Sequence, residues 1–129
     1  MATKQQTPLN HARQVLDIEL AGLKAVRSQL DGQFTATVDI LKQALTRRNK
    51  LVVVGIGKSG NIGQKISATF NSTGATSVLL DPANALHGDI GLLDGGDVVL
   101  ALSYSGESDE LLSLMAAIKK FPVQIVALT

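Results

Sequence analysis

An aliphatic run, Leu51-Val52-Val53-Val54, leads straight into Gly55-Ile56-Gly57-Lys58-Ser59-Gly60. A strand with no polar alternation has no side that tolerates water, so it belongs in a sheet covered on both faces, as parallel sheets are. The glycines that follow let the chain reverse sharply and enter a helix. This junction limits the chain to an α/β fold built from parallel crossovers.

The rest of the pattern fits that frame. A helix is expected from about Ser59 to Asn71, with Ile62, Ile66 and Phe70 on one face and Gly74 ending it. Ser77 to Leu80 reads as a second strand, Asp97 to Leu102 as a third and Val123 to Leu128 as a fourth. Leu111, Leu112, Met115 and Ile118 mark a helix between the last two. Two helices precede the sheet. Thr7-Pro8 caps the first, Leu16, Leu20, Leu23 and Leu30 form its stripe, and Gly32 is expected to close it. Phe34, Val38, Leu41 and Leu45 form the stripe of the second; a sheet face or a partner subunit would cover such stripes. The expected fold is a three-layer α/β/α sandwich, with leading helices over 1–49 and a parallel sheet core over 50–129. Doubly wound sheets commonly continue beyond a fourth strand, so the domain reads as truncated there.

Composition narrows the function. The chain has no Cys, which excludes disulfides and thiolate metal sites and fits a reducing cytoplasm. The net charge of +1 gives no electrostatic reason to expect nucleic acid. No apolar run approaches membrane-spanning length, and the polar Met1 to Thr7 lacks a signal-peptide core. Arg47, Arg48 and Lys50 read as a solvated, dipole-complementing helix end rather than an anion site.

Two loops carry the chemistry. In the first, glycines, Lys58 and Ser59 stand where a strand meets a helix N-terminus, a place suited to an anion. The loop is also a literal G-x-G-x-x-G, and Asp81 ends the second strand where a dinucleotide fold keeps its ribose-binding acid, so an NAD-binding domain is a rival. A Walker A loop is excluded, because its first glycine would fall at Val52. In the second, Ser103-Tyr104-Ser105-Gly106-Glu107-Ser108 opens the next helix. A serine cap followed by Glu110 needs one serine, and this loop has three.

Taken together, Gly-Lys-Ser-Gly, Ser-x-Ser-Gly-Glu-Ser and the intervening Ala85-Leu86-His87-Gly88-Asp89-Ile90-Gly91 resemble the sugar isomerase (SIS) family, and within it the arabinose-5-phosphate isomerases. The resemblance runs from about Ala12 to Thr129 and implies a flavodoxin-like SIS sheet. It implies interconversion of D-arabinose 5-phosphate and D-ribulose 5-phosphate through an enediol, an early step toward the Kdo sugar of lipopolysaccharide, in a cytoplasmic homotetramer. It implies Ser103, Ser105 and Ser108 at the phosphate, Ser59, Gly74, Ala75 and His87 around the sugar, and Lys58 and Glu110 in catalysis. Glu110 would then transfer protons and Lys58 would stabilise charge, with Glu107 a nearer carboxylate better suited to capping. No cofactor is required, although a divalent metal such as zinc is implied near Asp81 and His87; the family often has His where Asp81 stands. A further acid and histidine of the family, and its CBS domains, would lie beyond Thr129. Other SIS domains bind sugar phosphates without turnover in transcriptional regulators, which is the main alternative.

Overall fold

The computed structural model describes residues 7–129; the expectation for Met1 to Gln6 lies outside them. The chain divides into two compact units, 1–36 and 37–129.

The first unit holds helix α1 (Pro8–Gln29) and the start of α2 (Gly32–Thr46). Thr7 caps α1 as expected: its hydroxyl oxygen accepts the Asn10 N–H at 3.3 Å, and Pro8 occupies the first turn, where a missing N–H costs nothing. Gly32 does not close this helix. Leu30 is the C-cap, and Gly32 already begins α2, where Asp31 accepts the Gln33 N–H at 2.8 Å. A carboxylate able to cap was present one residue before the glycine, and it decided the boundary.

The second unit is a parallel four-stranded sheet, ordered β2-β1-β3-β4, from β1 (Leu51–Gly55), β2 (Ser77–Leu80), β3 (Val98–Leu102) and β4 (Gln124–Leu128). Every residue of β1 and β3 is buried, as the unbroken aliphatic runs required. Alternate residues feed opposite faces. Val53, Leu100 and Leu102 pack with Ile66 of α3 (Lys58–Ser72), and Leu51 and Val98 pack with Ile40, Leu41 and Ala44 of α2. Val52, Val54 and Val99 face the other way, against Ala85 of α4 (Pro82–Leu86) and Leu111, Leu114 and Ile118 of α5 (Asp109–Ile118). The result is the expected three-layer sandwich. The boundary between the two compact units falls inside α2.

Two elements escaped the sequence pattern. Pro82–Leu86 forms the short α4, and Asp89–Leu92 forms a single 3-10 turn. Each is too short to show a period, and α4 depends on a local device, Asp81 accepting N–H groups from Ala83 (3.0 Å) and Asn84 (3.1 Å).

Lys50 is not part of a solvated helix end. Its ammonium lies 2.7 Å from Asp97 and 2.6 Å from Asp94, and Asp97 is buried. The Asp97 carboxylate also accepts the backbone N–H of Lys50 (3.0 Å) and of Asp94 (2.8 Å). One carboxylate thereby ties the start of β1 to the start of β3. Burial alone would push its acid strength down, yet the Lys50 ammonium and the two N–H donors outweigh it, so Asp97 titrates below the ordinary range. Burial likewise opposes charge on Lys50, but its bonds to Asp94 and Asp97 prevail and hold its pKa above the usual lysine value.

Candidate functional site

In open parallel sheets, ligands collect beyond the carboxyl ends of the strands, where the strand order reverses. That point lies here between β1 and β3, whose crossovers leave in opposite directions, toward β2 and β4. Gly55 and Leu102, the last residues of these strands, are register partners. The two loops singled out by sequence therefore leave from directly paired positions. Ser59 and Ser103 line one cavity of about 270 Å³, with Ile62, Ile66 and Tyr104 among its other walls.

Close packing explains most of the glycines in the first loop. A Cβ on Gly55 would lie 2.8 Å from the carbonyl carbon of Ser59, and one on Gly60 would lie 2.9 Å from the Gly55 oxygen. The strand end and helix start touch backbone to backbone. Gly57 supplies the left-handed turn, at φ 56°. Several amides of this helix start are already used: Ser59 and Gly60 donate to the Ile56 carbonyl, and Asn61 to that of Gly57. Packing gives no reason for a cation at position 58, and Lys58 stands exposed beside the turn.

The second loop is arranged differently. Ser103 and Ser105 accept N–H groups from Gly106 (2.8 Å) and Glu107 (3.2 Å), so these hydroxyls shape the loop and keep their own hydrogens to donate. Ser108 is the N-cap of α5, but its side chain makes no capping bond. Asp109 and Glu110 occupy the first turn, and both are exposed. The half-buried Ser108 thus keeps its hydroxyl available at a helix start, the favoured place for a phosphate oxygen.

The other candidate residues are spread around this edge or away from it. Asp81 follows β2 on the same edge, but one of its oxygens is committed to capping α4. His87 is exposed at the other end of that short helix. Among the described residues no three His, Asp or Glu side chains converge to hold a metal ion, so the donors around Asp81 and His87 do not by themselves make a metal site. Gly74 and Ala75 precede β2, whose first residue pairs with the first of β1, and so they sit at the opposite, amino edge of the sheet. One copy of the chain does not bring them to the two loops. Tyr104, 99% exposed at the cavity, was missed as a site residue. A lone aromatic in a serine-rich loop gives no pattern from which to find it.

The model of the SIS domain matches residues 44–129. The chain belongs to the SIS domain family. Its relatives include the arabinose 5-phosphate isomerase KdsD of Francisella tularensis, 33% identical over all of this chain and 39% of that protein. The arabinose 5-phosphate isomerase KpsF of Escherichia coli O6:H1 is 38% identical over 94% of this chain and 36% of its own length. The chain thus spans little more than a third of these curated relatives. Among solved structures, an Escherichia coli CFT073 protein in complex with a sugar phosphate superposes with a TM-score of 0.75 at 31% identity, over 94% of this chain and 64% of that one. A phosphoheptose isomerase from Neisseria gonorrhoeae, at 17% identity and a TM-score of 0.79, shares the fold. Its match covers 94% of this chain and 74% of that structure. Among the described residues no helix is long and apolar enough to cross a membrane.

Proposed function

We propose that this SIS chain provides the phosphate- and sugar-binding face of an aldose–ketose isomerase that interconverts D-arabinose 5-phosphate and D-ribulose 5-phosphate. The observation that carries the reading is that the Lys58–Ser59 and Ser103–Ser108 loops leave from the paired residues Gly55 and Leu102, with Ser59 and Ser103 lining one cavity. The KdsD and KpsF relatives support the pentose phosphate as the substrate class.

The phosphate binds at the start of α5, held by the hydroxyls of Ser103, Ser105 and Ser108. A base takes the proton from C2 of the aldose, an enediolate forms, and a proton is delivered to C1 while the hydroxyl hydrogen on O2 is exchanged for one on O1. The substrate neither gains nor loses electrons overall, so the balance calls for no redox cofactor. Glu110 shuttles the proton, and Lys58 offsets the negative charge that develops on oxygen. Neither residue lines the cavity shared by Ser59 and Ser103. That specific observation favours, as a second reading, a module that binds the sugar phosphate without turning it over.

A thermal-shift assay separates the binding alternatives: stabilisation by arabinose 5-phosphate and none by NAD is expected, and the reverse would replace this reading with the dinucleotide one. For catalysis, Glu110→Gln is expected to abolish conversion of arabinose 5-phosphate without loss of binding. Turnover that survives this change would move proton transfer to another residue.

A further inference from the structure

Tyr104 is the single tyrosine of the chain. At 99% it is the most exposed of the large apolar-bodied side chains among the described residues, with Leu23 next at 67%. A tyrosine ring carries a large apolar area that ordinarily gains by being covered. Here the protein leaves it uncovered. The backbone that carries the ring is nevertheless pinned on both sides. Ser103 donates its N–H to the Leu128 carbonyl at 3.0 Å and accepts that of Gly106 at 2.8 Å, while Ser105 accepts that of Glu107 at 3.2 Å. The fold fixes where the side chain starts and leaves only the side chain free.

Tyr104 starts at the cavity of about 270 Å³ that Ser59 and Ser103 share. Much of the remaining wall is aliphatic, from Ile62, Ile66, Leu102 and Leu128, and of these Ile62 is 59% and Leu128 61% exposed. Sites for small ligands combine a few placed polar groups with an apolar and aromatic lining. Serine hydroxyls suit a phosphate, but they do nothing for the C–H faces of a carbon chain attached to it. A phosphate held on Ser103 and Ser105 leaves that carbon chain within a tyrosine's length of position 104.

We propose that Tyr104 is a substrate-contacting residue, whose ring packs against the carbon chain of the bound sugar phosphate and completes the apolar wall formed by Ile62 and Leu128. The inference rests on the reading of this cavity as a sugar-phosphate site. It adds the group that tells a sugar phosphate from a bare phosphate. Ring area carries the contact, so phenylalanine would serve nearly as well.

The chain has no Trp, so its tyrosine emission reports on position 104 alone. Titrating the wild-type chain with arabinose 5-phosphate should change that emission, whereas inorganic phosphate, which ends at the serines, should bind with little change. By calorimetry, Tyr104→Ala should weaken arabinose 5-phosphate about fivefold and leave inorganic phosphate unaffected. Tyr104→Phe should stay within about twofold of wild type for both. Because the ring is uncovered in the free chain, neither variant should lower the melting temperature. Wild-type affinity in Tyr104→Ala would overturn the proposal. Equal losses for both anions would do so too, by making the residue a shaper of the loop. A Tyr104→Phe variant as weak as Tyr104→Ala would overturn the assignment to the ring, and emission that follows protein concentration instead of ligand would put a second copy of the chain on it. Those results sink this inference alone. A wild-type chain that binds no arabinose 5-phosphate would sink the sugar-phosphate reading along with it.

Discussion

The two ends of the central strands use their polar residues in opposite ways. At the amino edge, polar side chains are committed to the protein itself. Asp97 binds an ammonium and two backbone N–H groups, Asn49 donates to the Gly95 carbonyl at 2.9 Å, and Asn71 brackets both backbone groups of Ser77. At the carboxyl edge, Lys58, Ser108 and Glu110 stand where a strand becomes a helix, and Ser108 declines even its capping bond. Groups satisfied internally stabilise a fold, whereas groups left unspent at helix starts are available to a ligand. By this contrast, substitutions at one edge should be read in stability and those at the other in binding.

The largest expected effect is at Asp97. Asp97→Ala leaves two backbone donors without their acceptor and Lys50 with the exposed Asp94 as its remaining partner, and urea denaturation should show a loss of about 2–3 kcal/mol. A loss as small as that of an exposed substitution would break the contrast between the edges. The same ion pair sets the pH response. Asp97 has a folded pKa below its ordinary 3.8, so its contribution is complete above that value and disappears as pH falls through the folded pKa. Lys50 is raised above 10.5, so its contribution is complete below that value and is lost as pH rises through the folded pKa. Thermal melts across pH should therefore be steeper at both extremes for the wild type than for D97A.

At the other edge, Ser108→Ala should weaken arabinose 5-phosphate binding by about 1–2 kcal/mol, measured by calorimetry, with an unchanged melting temperature, since no cap is lost. A fall in stability without a fall in affinity would make Ser108 a structural residue after all. The smallest effect is expected at Ser77, the amino-edge exception, whose buried hydroxyl has no partner. Ser77→Ala should be neutral or stabilising by up to about 1 kcal/mol in the same urea experiment.

Legibility from sequence followed the range of the forces involved. The buried strands, the parallel crossovers and both loops were readable, because an unbroken aliphatic run and a glycine turn depend on near neighbours. Gly32 misled because two local signals competed and the Asp31 cap prevailed. The Asp97–Lys50 bond, by contrast, joins residues 47 positions apart, and no local pattern reports it. Asp81 differs: its bonds to Ala83 and Asn84 are local, but the helix they cap is too short to show a period, so the carboxylate read as one free for a ligand.

The sequence by itself determined the layered α/β class, the positions of β1 to β4 within a residue, and the two serine- and glycine-rich helix starts that make up the candidate site. Only the tertiary structure decided that these starts leave from paired residues of adjacent strands, and that Gly74 and Ala75 lie at the far edge. It alone showed that Lys50 is half of an ion pair and that Ser108 keeps its hydroxyl unspent. The reason is physical. Periodicity and turn chemistry act over a few residues, whereas strand order and register are set by which apolar faces pack together across the whole chain.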